Sequence, residues 1–95
     1  MKTTDIKIVH SWAKKRNLPL PEKSNRKNKK FMVLWKGKYI HFGHSDYEDY
    51  SVHNDKKRRE SYLKRSRGIR NKDGTLTKND PMSPNFWSIR LLWDG

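Results

Sequence analysis

The sequence predicts a small α+β domain in which helices cover one β-hairpin, with an extended basic N-terminal arm attached. Three observations predict it. Residues 31–42, FMVLWKGKYIHF, alternate around Lys36-Gly37 as two short strands joined by a tight turn do. Ser83-Pro84 carries a helix start signal and leads into the apolar run NFWSIRLLW. Charge falls in blocks: residues 1–30 and 54–79 each hold ten Lys or Arg, for net charges of +8 and +7, while 31–53 and 80–95 are each −1. The two nearly neutral blocks read as core and the two basic blocks as working surface. The boundary is accordingly drawn between an arm, 1–30, that contains a short helix and a compact domain, 31–95.

Each element follows from local signals. Thr4 is the expected cap of a helix over Asp5 to Arg16, with Asp5 favouring its N-terminus and Lys14, Lys15 and Arg16 its C-terminus. Ile6, Val9 and Ala13 share one face of it, with Ile8 and Trp12 beside them. Asn17-Leu18-Pro19-Leu20-Pro21 ends the helix, and EKSNRKNKK, residues 22–30, has no apolar side chain and reads as arm. In the hairpin, period-two alternation places Phe31 opposite Phe42, Val33 opposite Ile40 and Trp35 opposite Lys38 on one face. Met32, Leu34, Tyr39 and His41 take the other face. A lone hairpin is marginal in water, so a helix is expected against the apolar face.

Asn54-Asp55 opens a basic helix that Gly68 closes, with Tyr62 and Leu63 as its only large apolar residues and Glu60 four positions before Lys64. Residues 68–82 read as a loop punctuated by Asp73-Gly74 and Asp80-Pro81. In the last helix Phe86, Ile89, Arg90 and Trp93 share a face next to Trp87 and Leu91, which is too apolar for a free surface helix and predicts packing on the hairpin.

Composition narrows the function. With 95 residues, 32% hydrophobic and 35% charged, the core is small, although four Trp, four Tyr and three Phe each bury a large area. Without cysteine there is no disulfide and no cysteine-based zinc site. No apolar run approaches the ~20 residues of a membrane span, and the N-terminus lacks the apolar stretch of a signal peptide, so a soluble, non-secreted chain is expected. A net charge of +13 attracts polyanions. The expected contact residues for nucleic acid or an acidic partner are Lys14, Lys15, Arg16, Arg26, Lys27, Lys29 and Lys30 in the first block. In the second they are Lys56, Lys57, Arg58, Arg59, Lys64, Arg65, Arg67 and Arg70. No zinc finger, RNP motif or GXXG loop is present, so contact should be to the backbone and poor in sequence information. Trp12 and Tyr62 lie within reach for stacking on bases, but both suit a buried role better.

The run IHFGHSDYEDY, residues 40–50, concentrates carboxylates, aromatics and histidines in an otherwise cationic chain. His41, His44 and His53 with Asp46, Glu48 and Asp49 have the donor chemistry of a metal site or a metal-dependent nuclease, but no HExxH or other established spacing. Asn71-x-Asp73-Gly74 lacks the later Glu of a calcium loop. The simpler expectation is charge compensation: the three carboxylates orient the helix bearing Lys56, Lys57, Arg58 and Arg59, and Tyr47 and Tyr50 flank the core. No catalytic residue, metal site or cofactor is expected.

Four motifs together, Lys38-x-Ile40-His41-Phe42-Gly43, Tyr47-x-Asp49-Tyr50, Arg58-Arg59-x-x-Tyr62-x-x-Arg65 and Phe86-Trp87-x-x-x-Leu91-Leu92-Trp93, resemble a small uncharacterised family of large double-stranded DNA viruses and large-genome phages. The resemblance covers about residues 29–94. It implies a virus-encoded protein of the virion, present in the host cell interior during assembly and ordered within a larger assembly. Other virion proteins and double-stranded DNA are the implied partners. A non-enzymatic minor capsid or virion component, touching acidic partner subunits or the packaged genome, is the first reading, because arms that order on assembly tie subunits together. A sequence-nonspecific DNA-binding protein is the alternative, and a metal-dependent nuclease the alternative from another class.

Overall fold

The FMVLWKGKYIHF segment forms the expected hairpin. In the computed structural model, which describes residues 5–95, strands β2 (Lys29–Trp35) and β3 (Lys38–His44) pair antiparallel, with Phe31 opposite Phe42, Val33 opposite Ile40 and Trp35 opposite Lys38. Lys36 and Gly37 both have positive φ, 48° and 81°, the geometry of a tight turn that matches strand twist. Phe31, Val33, Ile40 and Phe42 are buried on the inner face, while Leu34 and Tyr39 on the outer face are half exposed. A third, two-residue strand β1 (Glu22–Lys23) pairs with β2 and gives the sheet order β1-β2-β3.

Three longer helices and one short one complete the α+β fold. Helix α1 (Ile6–Lys15) is capped by Asp5, whose side chain accepts from the Lys7 N–H at 2.9 Å; Thr4, the expected cap, lies outside the described residues. The single-turn helix α2 (Tyr50–His53) is capped by Asp49, and α3 (Lys56–Ser66) by Asp55, which accepts from the N–H groups of Lys57 and Arg58. Helix α4 (Pro84–Leu91) starts as the sequence predicts, with Ser83 as cap and Pro84 in the first turn, and packs on β3. Its Trp87 is fully buried, donates through Nε1 to the Pro81 carbonyl at 2.6 Å, and meets Trp35 edge-on at 5.5 Å. Gly43 has φ +79°, and an added Cβ there would lie 2.7 Å from the Leu92 side chain, so only glycine lets the chain after α4 sit this close to β3. Among the described residues no helix is long and apolar enough to cross a membrane.

The first thirty residues differ from the expected arm. Val9 and Ala13 are fully buried in the same core as the hairpin and α4, and α1 packs on α4. Asn17, with φ 56°, turns the chain out of the helix, and Pro21 is buried below it, its carbonyl accepting from His10 Nε2 at 2.7 Å. The supposed arm segment 22–30 supplies β1, the turn and the start of β2. The physical reason is that a small core needs more apolar cover than α4 alone supplies, and α1 brings a narrow apolar stripe that fits. Trp12 belongs to this packing too, stacked on Tyr50 at 6.2 Å.

Two stability measurements check this architecture. Trp87→Ala should lower unfolding free energy by about 3–5 kcal/mol in a denaturant titration. Removing residues 1–20 should lower the melting temperature by roughly 6 °C or more, since burying one valine is worth ~1.5–3 kcal/mol and each kcal/mol shifts a domain of this size by ~4–8 °C. A melt unchanged by the truncation would return α1 to the status of an appendage.

Candidate polyanion-binding face and cleft

Helix α3 divides its circumference sharply. Arg59, Tyr62, Leu63 and Ser66 face inward, and Leu63 is its one large apolar side chain that is fully buried. Lys57, Arg58, Ser61, Lys64 and Arg65 are all exposed and, at 3.6 residues per turn, fall within about one third of the helix surface. Lys56 and Arg67 are exposed on the flank. Among the described residues, the lysine and arginine ion pairs within 4.0 Å are those of Lys15 and Arg16 with Asp94 and of Lys30 with Asp49, so none of the exposed α3 cations is neutralised by a carboxylate.

Not every expected contact residue stands on that surface. Lys30 Nζ lies 2.7 Å from Asp49 Oδ2, with side chains only 12% and 4% exposed. Arg16 donates to Asp94 at 2.6 Å and to the Gly95 carbonyl. Arg59 donates from Nε to the Trp93 carbonyl at 2.9 Å and from an Nη to the Asp94 carbonyl at 2.6 Å, with its guanidinium 5.4 Å from the Tyr50 ring. These three hold the fold and are withdrawn from the contact set. Lys29 is half-buried. Lys14, Lys15, Arg26, Lys27 and Arg70 are exposed, at the end of α1, in the β1–β2 turn and beyond α3 respectively. The Arg70 side chain is partly occupied, donating to the Gly74 carbonyl at 2.7 Å.

The carboxylate island does not orient the basic helix as expected. Asp49 caps α2, accepting from the Ser51 N–H at 3.0 Å and the Ser51 hydroxyl, and its ion partner is Lys30. Asp46 is exposed and turns back to its own loop, where its N–H donates to His44 Nδ1 at 3.1 Å. Among the described residues neither Asp46 nor Glu48 nor Asp49 pairs with Lys56, Lys57, Arg58 or Arg59, and α3 draws its N-terminal carboxylate from Asp55 instead. Tyr50 flanks the core as expected, but Tyr47 is 69% exposed, its ring leaning on His44 at 4.9 Å.

The histidines point to different places. Ser24 Oγ accepts from the Arg26 N–H at 3.0 Å and shares a second hydrogen bond of 2.7 Å with His41 Nδ1. His53 Nδ1 accepts from the Asp55 N–H at 2.9 Å, and its ring sits between Tyr50 and Trp93, where Nε2 is buried without a partner. At His53 the backbone N–H donor makes Nδ1 an acceptor, which requires the neutral form of that ring. Burial, assisted by Arg26 and Lys29 at His41 and by Arg58 at His53, holds both below the ordinary histidine range. Among the described residues no three His, Asp or Glu side chains gather as a metal site.

A cleft of about 630 Å³ opens between α3 and the loop joining β3 to α2. Lys57, Arg58, Ser61 and Arg65 line it from α3, Tyr47 and Glu48 from the loop, and Leu92 and Trp93 from the chain after α4. Tyr62, for which a packed role was the better expectation, lies parallel to Trp93 at 4.0 Å, with its hydroxyl 3.0 Å from Ser88 Oγ. The basic wall was predicted by charge; the tyrosine opposite it was not, because it sits in a loop where periodicity carries no information.

The profile of a Family of unknown function (DUF5754) matches residues 22–66, a little under half of the chain. The matched segment runs from β1 to the end of α3, so the likeness takes in the whole sheet and the basic helix but neither α1 nor α4. No curated protein and no solved structure matches the chain.

Asp49→Asn leaves Lys30 enclosed without its counter-charge and should cost about 3–5 kcal/mol, far more than an exposed pair would; Asp46→Asn, at an exposed site, should leave the melt within ~0.5 kcal/mol of the parent. The two histidines set a pH dependence. With folded pKa values below the unfolded value of 6.5, the unfolded chain takes up protons first, so stability is full above about pH 6.5 and falls as pH drops below it. Thermal melts between about pH 7.5 and 5.5 should show this slope, and His41→Gln should flatten it.

Proposed function

We propose that this protein is a non-enzymatic nucleic-acid-binding protein that grips the phosphate backbone without reading sequence. The observation that carries the reading is the exposed stripe Lys57, Arg58, Lys64 and Arg65 on one face of α3, free of carboxylate partners among the described residues. Lysine and arginine fixed along a rigid helix meet phosphates at modest entropic cost, and they carry no base code. Arg26 and Lys27 in the β1–β2 turn add to the same field.

The resemblance to proteins of large DNA viruses and phages gives the binding its setting, the packaged genome inside a virion. A minor capsid role, through acidic partner subunits, is the second reading. The free arm that first favoured it is largely folded onto the domain, but Leu34 and Tyr39, opposite each other on the outer sheet face and 51% and 50% exposed, offer an apolar patch of the kind protein partners cover.

Binding to duplexes of unrelated sequence should show similar affinity and a steep loss with salt, log K falling by ~0.9 per phosphate contacted for each unit of log salt. Replacing Lys57, Arg58, Lys64 and Arg65 with Gln should flatten that slope without changing the melt. Lys30→Gln and Arg59→Gln should instead lower the melting temperature. Absence of binding at low salt would leave the capsid reading in first place. Cleavage of plasmid with Mg²⁺, Mn²⁺ or Zn²⁺ that copurifies with the protein and is lost on His44→Ala would overturn the non-enzymatic part.

A further inference from the structure

A stripe of cations on a convex helix is enough for duplex DNA, but this stripe also forms one wall of a cleft, and the rest of the cleft is built for something other than phosphate. Leu92 and the buried Trp93 form the apolar part of its floor, beside Ser88 and the paired Lys30 and Asp49. Its far wall is Tyr47 and Glu48. A duplex keeps its bases stacked inside and presents phosphates and groove edges, so it gains nothing from a floor of this kind. The volume, about 630 Å³, falls in the range of pockets that enclose a small organic group.

Glu48 fixes the polarity of the site. A carboxylate on that wall repels phosphate oxygens and accepts hydrogen bonds from amino groups, which adenine, cytosine and guanine carry on their edges. Tyr47 supplies a flat apolar face; it is 69% exposed, and its ring is propped from one side by His44. Across the cleft Lys57, Arg58 and Arg65 supply positive charge. Cations on one wall and an aromatic ring with a carboxylate on the other match the two ends of one nucleotide: phosphate and base.

From this arrangement we infer that the cleft holds an unpaired nucleotide of a single strand, its base against Tyr47 and its phosphates on Lys57, Arg58 and Arg65. The inference rests on the nucleic-acid reading above and narrows it: duplex and single strand share the α3 stripe, and the cleft adds a preference for strands whose bases can leave the stack.

Three probes of equal length separate these claims: a single-stranded oligonucleotide, the same strand made of abasic sites, and a duplex. The full chain should bind the base-carrying strand more tightly than the abasic strand at equal salt. Tyr47→Ala should weaken binding of the base-carrying strand by roughly 5- to 100-fold, the size of one base–aromatic stack, and leave the abasic strand and the duplex unchanged. Tyr47→Phe, which keeps the ring, should restore it. Equal affinity for strands with and without bases, or an equal effect of Tyr47→Ala on all three probes, would overturn the cleft assignment while leaving backbone binding in place. No binding of any probe would overturn both readings.

Discussion

Asp49 is the one carboxylate among the buried residues of the described chain, and Lys30, at the start of β2, reaches it from the segment that looked most like free arm. Removing both charges from water is costly, and the pair is sustained because both oxygens of Asp49 are engaged: Oδ1 takes the Ser51 N–H and hydroxyl while Oδ2 takes the ammonium. Its value lies in placement more than in net stability. By capping α2 it sets where Tyr50 and His53 fall, and these carry the aromatic contacts to Trp12 and Trp93. It also fixes the end of the β3–α2 loop, whose Tyr47 and Glu48 line the cleft together with α3.

The large positive charge is accordingly two populations. One works inside the fold. Arg16 and Arg59 both gather the last residues of the chain, spending planar guanidinium donors on the Asp94 side chain and on the carbonyls of Trp93, Asp94 and Gly95. The other is left to solvent along α3 and the β1–β2 turn. Substituting cations by number alone would mix a folding defect with a binding defect, and the two populations are separable only by their partners.

Where the chain signals locally, its structure was legible. Strict alternation about Lys36-Gly37 specified the hairpin register pair by pair, and Ser83-Pro84 specified where α4 begins. What escaped was non-local. EKSNRKNKK has no apolar residue, so nothing in its pattern announces that Glu22 and Lys23 pair with Met32 and Phe31 through backbone hydrogen bonds. The stripe of α1 was visible, but whether it docks depends on space left by α4, which the sequence of α1 does not contain. The basic wall of the cleft was readable from charge spacing. Its opposite wall was not, since Tyr47 lies in a loop, where it is held against His44 and where no periodicity marks a face.

The joining of α1 to the chain's last residues also sets an order of events during synthesis. The hairpin needs only the residues from Lys29 to His44 and closes on a timescale of ~1–10 μs once they have left the ribosome. Helix α1 emerges before it, yet α4, against which it packs, follows only much later, and the Arg16–Asp94 contact spans 78 positions. Through most of translation, at ~5–20 residues per second, the face of α1 that bears Val9 and Ala13 therefore waits for seconds without the cover of α4. The surrounding density of lysine and arginine makes such waiting chains repel one another, so the charge left on the surface of the finished protein also guards the unfinished one.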